Sequence, residues 1–193
     1  MLAGYGDAMT AMNDDAGAGR NDRDRVLAVY LRDHFAGSTA GLALVRRCRR
    51  ENAGTALDDV LGAIETELDE DRRALRAMMS RLGVTPSSFK SALGAVAEAT
   101  GRLKSNGRVL RRSPSSPVVE LEGLAAGILT KRSLWQSLRT AAPGRPALDV
   151  GELDTLVDRA TSQLDRVLAA HGDPARIAFG SSQQPAAGSL PAE

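Results

Sequence analysis

The residues of this chain best placed to do chemistry are His34, Glu67, Asp71 and Lys131. Each falls on or beside an apolar helical stripe, where a polar side chain must find a partner. His34 stands next to Gly37, Ser38 and Gly41, small residues that leave room beside it. Glu67 and Asp71 are spaced i, i+4, so their carboxylates can share one helix face. Counted from a turn at Asn52–Gly54, residues 34 and 71 lie at one height in an antiparallel hairpin. A third helix starting at the turn end brings Lys131 and Trp135 to the same layer. Two chemistries then compete. In one, His34, Glu67, Asp71 and Lys131 form a buried charge cluster that fixes helix register, because a buried carboxylate without a partner is strongly destabilising. In the other, His34, Glu67, Asp71, Glu120 and Glu122 hold one metal ion; imidazole with carboxylates suits Fe, Mn or Zn. Glu120 and Glu122 fall about three turns from the His34 layer, and Lys131 would repel a cation. Acid–base work by His34 oriented by Asp71 is a third possibility, but no nucleophile or substrate pocket accompanies it.

Other groups carry weaker signals. Arg102, Lys104, Arg108, Arg111 and Arg112 lie in a segment that also holds Lys90, against Glu98 alone, and could bind an anion or nucleic-acid phosphates. No aromatics interleave them, and arginine stems also cover apolar surface, so nucleic acid is not expected. The formal net charge of +1 gives no global field for it either. Cys48, the one cysteine, lies on an apolar stripe and reads as a small buried hydrophobe. His171 at a helix end suits the helix dipole. The tail Gly188-Ser189-Leu190 loosely resembles the peptides that load cargo into encapsulin shells.

The elements that must position these residues are helices. Hydrophobic residues make up 42% of the chain but aromatics only 3%, so the core is built from Leu, Ala, Val, Ile and Met, which suits helix more than sheet. Four long apolar periodicities appear, over about 24–50, 56–82, 117–141 and 150–170, with a shorter one over 86–103 carrying Phe89, Leu93, Val96 and Leu103 inward. Thr55 with Asp58 reads as a capping-box-like start, and Gly83 as a stop. Residues 1–21 and 172–193 lack periodicity and read as disordered tails around a bundle domain at 22–171. No apolar run approaches the length of a membrane span and no signal-peptide pattern opens the chain, so a cytoplasmic location is expected.

Connection lengths choose the topology. The first and last helix pairs have short links and form antiparallel hairpins, while residues 83–116 separate them. A helix of about 25 residues is about 38 Å long, which such a link can cross. The expected fold is therefore all-α: a ferritin-like antiparallel four-helix bundle with a short extra helix in the long crossover. The strings YLRDH (30–34), ELDED (67–71), GRLKSNGR (101–108), RRSP (111–114) and ELE (120–122) resemble those of an uncharacterised actinobacterial family of ferritin-like helical proteins. The resemblance covers about Val26 to Ala170 and implies the fold; it brings no activity with it.

A ferritin-type di-iron site needs Glu-x-x-His on two helices, and the chain has no such motif. Ordinary ferroxidase or oxygenase chemistry is therefore set aside. The leading expectation is a non-enzymatic structural or interaction protein without a cofactor, self-associating through a helix face. The alternative is a metal-binding protein or metal-dependent oxidoreductase with a non-standard site.

Overall fold

The described residues are mostly helical because the apolar residues recur with helical spacing. The computed structural model describes residues 4–86 and 115–180, with side chains from residue 21 onward. Four helices result: α1 (Gly4–Glu51), α2 (Ala56–Arg81), α3 (Ser116–Ala141) and α4 (Val150–Phe179). Among the described residues no helix is long and apolar enough to cross a membrane. The expected short helix over 86–103 lies almost entirely outside the described residues.

Glycines make the turns. Gly54, Gly83 and Gly144 all have positive φ (78°, 69° and 79°), a conformation that costs other residues steric strain. Gly54 closes the α1–α2 turn, and Gly83 ends α2. Asp149 caps α4: its carboxylate accepts from the Glu152 backbone N–H at 2.7 Å, satisfying one of the orphan donors of the first turn. The capping box expected at Thr55 does not form. Thr55 Oγ1 instead donates to the Asn52 carbonyl at 2.7 Å, and Asp58 turns to Arg49 at 3.1 Å. The other Asp58 oxygen accepts from the Gly54 N–H at 3.4 Å, one residue before the Thr55 N–H that a capping box would use.

Both outer helices run past the expected boundaries. α1 begins at Gly4, inside the stretch read as an N-terminal tail, and α4 passes Gly172 and Pro174 to end at Phe179. Extending a formed helix carries no nucleation cost, so weak formers can continue one that tertiary packing has already established.

Contacts between helices give their directions. Arg46 meets Glu65 and Arg49 meets Asp58 across α1 and α2; Arg47 meets Glu120 and Tyr30 meets Ser137 across α1 and α3. Glu67 meets Arg166 and Arg81 meets Glu152 across α2 and α4; Glu122 meets His171 and Arg139 meets Asp154 across α3 and α4. In every pair one number rises as the other falls, so all four adjacent pairs are antiparallel. It follows that α2 and α3 point the same way, and the chain between them must travel the length of the bundle. The α1–α2 and α3–α4 hairpins are closely packed, whereas the α1–α3 and α2–α4 seams are looser.

The core is divided in two. One cluster gathers Leu31, Leu75, Met78, Trp135, Leu138 and Leu153; the other gathers Leu42, Val45, Leu61, Ile64, Leu124 and Ile128. The α4 stripe buries Leu153, Leu156, Ala160, Gln163 and Val167, an a/d spacing. Val150 and Leu168, apolar residues of the same helix, fall outside that spacing and are exposed. Between the two clusters lies a layer of polar side chains.

Candidate functional site

That layer is centred on Asp71, which is 2% exposed. Its place on α2 follows from the stripe: Leu68 and Leu75 lie about one turn on either side and are buried as well. Lys131 from α3 donates to Asp71 Oδ2 and to Gln163 Oε1. Gln163 from α4, wholly buried, donates its Nε2 to the same Asp71 Oδ2 at 3.1 Å. On the other side Arg159 Nη2 stands 2.5 Å from Asp71 Oδ1 as an ion pair, and Arg159 Nη1 donates to Glu70 at 2.9 Å. Three helices thus meet at one carboxylate. Burial pulls the Lys131 ammonium below its usual range, even with Asp71 against it. The cation is held in the core by its partners and would shed its proton more readily than a surface lysine.

Asp71 and Lys131 are brought together as expected. Glu67 adjoins that network through Gln163, whereas His34 is not part of it. Glu67 lies one turn from Asp71 and takes Arg166 Nη2 at 2.5 Å. Burial pushes the Glu67 carboxyl up, but Arg166 and Gln163 beside it outweigh that and hold it below the ordinary range. His34 lines a groove between α1 and α3, whose lining also includes Lys131. Its ring meets Tyr30 edge-on at 4.5 Å between centroids, and small neighbours leave it no hydrogen-bond partner among the described residues.

Burial lowers the His34 pKa, with Asp33 opposing the shift. The folded value lies below the unfolded one of about 6.5, so the associated stability is whole above that pH and is lost as pH falls through the window beneath it. His34→Gln should therefore lose less stability than the parent chain between about pH 7 and pH 5. Urea midpoints at the two pH values check this; identical losses in both proteins would mean His34 titrates as it does when unfolded.

The five-residue metal set is also dispersed. Glu120 is buried and accepts from Arg47 at 2.6 Å. Its carboxylate lies beside Cys48, whose thiol is pushed up to about 12, by burial first and by Glu120 second. Cys48 is buried as expected and stays a thiol. Glu122 lies 3.4 Å from His171. Each acid that could have served as a ligand thus has a basic side chain against it, and His34 lies apart. Among the described residues no three His, Cys, Asp or Glu side chains converge on one point. The structure brings Asp71 and Lys131 together and places the candidate ligands in separate pairs with basic side chains.

Two participants escaped the sequence reading. Gln163 has the right periodic position, four residues before Val167, but carries no charge to mark it. Arg159 reaches in from the flank of α4, where its number alone suggests a solvated side chain. The candidate anion residues Arg102, Lys104, Arg108, Arg111 and Arg112, and the tail at 188–190, lie outside the described residues.

With this geometry established, no protein-family model, curated protein or solved structure matches the chain. The functional reading rests on the chemistry of the layer itself. The Asp71 carboxylate is engaged by two cations and an amide, and Lys131 reaches it from the lining of the α1–α3 groove. The arrangement locks three helices at one height.

Proposed function

We propose that this chain is a non-enzymatic structural or interaction protein, built on a ferritin-like plan whose interior has exchanged metal ligation for a charge network. The observation that carries the reading is the occupancy of Asp71: Lys131 and Gln163 engage one carboxylate oxygen and Arg159 the other. Support for the ferritin-like plan comes from the helix directions, two antiparallel hairpins joined by a lengthwise link, together with the family resemblance over Val26–Ala170. A network of this kind is well attested as a device for fixing register.

Function then belongs to the outer surface. Val26 and Val29 on α1, and Ile177 and Phe179 at the end of α4, are exposed apolar side chains that a second copy of the chain could cover. Elemental analysis of protein purified without chelators tests the central claim. Iron, manganese and zinc are expected well below one equivalent per chain; a stoichiometric metal that survives dialysis would overturn it. Sedimentation velocity on the same sample should show a species heavier than the monomer, and a monomer at all concentrations would remove self-association from the reading.

A further inference from the structure

The α1–α3 seam holds a groove of about 480 Å³. That is within the range of small-molecule sites and far above the voids that close packing leaves. An ideal Cβ at Gly37, Gly41 or Gly127 meets nothing within 4 Å among the described residues. Helix packing therefore does not call for glycine there, although glycine weakens a helix relative to alanine. All three line the groove, and a side chain at any of them would narrow it.

The two ends of the groove differ in chemistry. The pairs Tyr30–Ser137 and Arg47–Glu120 set the register of α1 against α3. On that register His34 and Lys131 stand within one turn of each other in height, and Leu44 stands level with Gly123. Tyr30, Asp33, His34, Thr130 and Lys131 line one end, whereas Leu42, Leu44, Leu68, Gly123 and Leu124 line the other. Leu44 Cδ2 comes within 3.6 Å of where a Cβ on Gly123 would stand, so Leu44 spans the seam at the apolar end. From Tyr30 to Leu44 the lining of α1 runs about 21 Å at 1.5 Å per residue. A groove of that length and volume is narrow, and it suits a single chain better than a fused-ring body.

The polar end has hydrogen bonds to spare but no charge to spare. An ammonium carries three N–H donors, and Lys131 gives two of them, to Asp71 and Gln163. His34 has no hydrogen-bond partner among the described residues. Burial lowers its pKa, so at neutral pH the ring offers one donor and one acceptor. The charges nearby are already matched: Asp71, Glu70 and Glu67 against Lys131, Arg159 and Arg166. A carboxylate head would join Asp33, which lines the same end, as a second anion, and a cationic head would meet Lys131. A hydroxyl can accept from Lys131 and donate to His34 without bringing a charge out of water.

We infer that the α1–α3 groove binds a single-chain amphiphile with an uncharged hydroxyl head, a long-chain alcohol in its simplest form. The head lies between Lys131 and His34, and the chain runs towards Leu44 and Gly123.

Equilibrium dialysis of the full chain against radiolabelled decanol, at about pH 8 so that His34 is neutral, tests the assignment. One saturable equivalent per chain is expected. Decanoate and decyltrimethylammonium, which carry the same chain on charged heads, should each bind at least about tenfold more weakly. Gly41→Leu and Gly127→Leu fill the groove from opposite walls, and each should weaken decanol binding about tenfold or more while the parent circular dichroism is kept. Decyl methyl ether accepts a hydrogen bond but cannot donate one. It should bind about fivefold more weakly than decanol in the parent chain, and equally to decanol in His34→Leu. The absence of saturable decanol binding, or a charged head bound as tightly as the alcohol, would overturn the assignment. So would unchanged binding in a folded Gly41→Leu or Gly127→Leu chain, or an alcohol–ether difference that persists without His34.

Discussion

Asp71→Ala is expected to destabilise the chain by about 3–5 kcal/mol, the range for removing one partner from a buried ion network. The substitution leaves the Lys131 ammonium and the wholly buried Gln163 amide facing each other without the carboxylate that both address. Arg159 escapes more easily, since it keeps Glu70 at 2.9 Å and stands nearer the surface. Lys131→Met should cost less, about 1–3 kcal/mol, because Asp71 then retains both Arg159 and Gln163. The decisive comparison is Asp71→Leu/Lys131→Met/Gln163→Leu, in which every member facing inward becomes apolar. Exchanging a whole buried network for well-packed hydrophobes is often neutral or stabilising, and the lowered Lys131 pKa shows that burial outweighs attraction for that cation. The triple variant should therefore unfold in urea near the parent midpoint, followed by the fluorescence of Trp135, the one tryptophan. A triple variant as unstable as Asp71→Ala would mean that the layer does more than neutralise itself.

Gln163 has to be in that exchange, and its late appearance shows what kind of information a sequence holds. Asp71 and Lys131 are visible because a charge on an apolar stripe is chemically anomalous, and counting from a turn converts two anomalies into one layer. The same counting rests on helices being straight and antiparallel, which the described pairs satisfy. Gln163 is no anomaly: an α4 stripe through Val157 and Leu164 reads as more apolar than one through Leu156 and Gln163, and the two differ by one position. On a helix that is 100°, enough to hide an interior amide.

The misplacement of His34 has a different cause. Its stripe on α1 is real, but Gly37, Ser38 and Gly41 beside it create a hollow, and the helix packs through Leu31, Leu42 and Val45. Periodicity identifies a face; it does not say whether that face touches a neighbour closely or stands off from it. Glu120 shows the converse. It was placed far from the polar layer, correctly, yet it is buried, because Arg47 reaches over from α1 to cover it. Long cationic side chains move several ångströms of charge away from their backbone positions, and Arg159 and Arg166 were missed for the same reason.

The overall plan needs fewer assumptions than the site. Helix number follows from four apolar periodicities, and helix direction from the two short turns and one long link. The ends of α1 and α4 were the exception: composition there says that a helix has little reason to start, not that an existing one must stop. Glycine and proline at 172 and 174 weaken the helix, but the described α4 runs through them.

Trp135→Ala should be the most damaging single truncation in the core, about 3–5 kcal/mol. Trp135 is 1% exposed and packs in the cluster with Leu31, Met78, Leu138 and Leu153, so four helices lose contacts at once. The cluster lies immediately below the Asp71 layer, and a rigid, charge-locked neighbour limits how far the cavity can collapse. Trp135→Phe should behave very differently. The Trp135 indole N–H is buried with no hydrogen-bond partner among the described residues, and an unpaired buried donor is destabilising in its own right. Phenylalanine removes that donor while keeping most of the apolar contact, so its net cost should fall near about 1 kcal/mol. Because both variants remove the fluorophore, circular dichroism during urea unfolding makes the comparison. If Trp135→Phe is as damaging as Trp135→Ala, the indole N–H has a partner, and the layer above it contains one more polar contact than Asp71, Lys131, Gln163 and Arg159 supply.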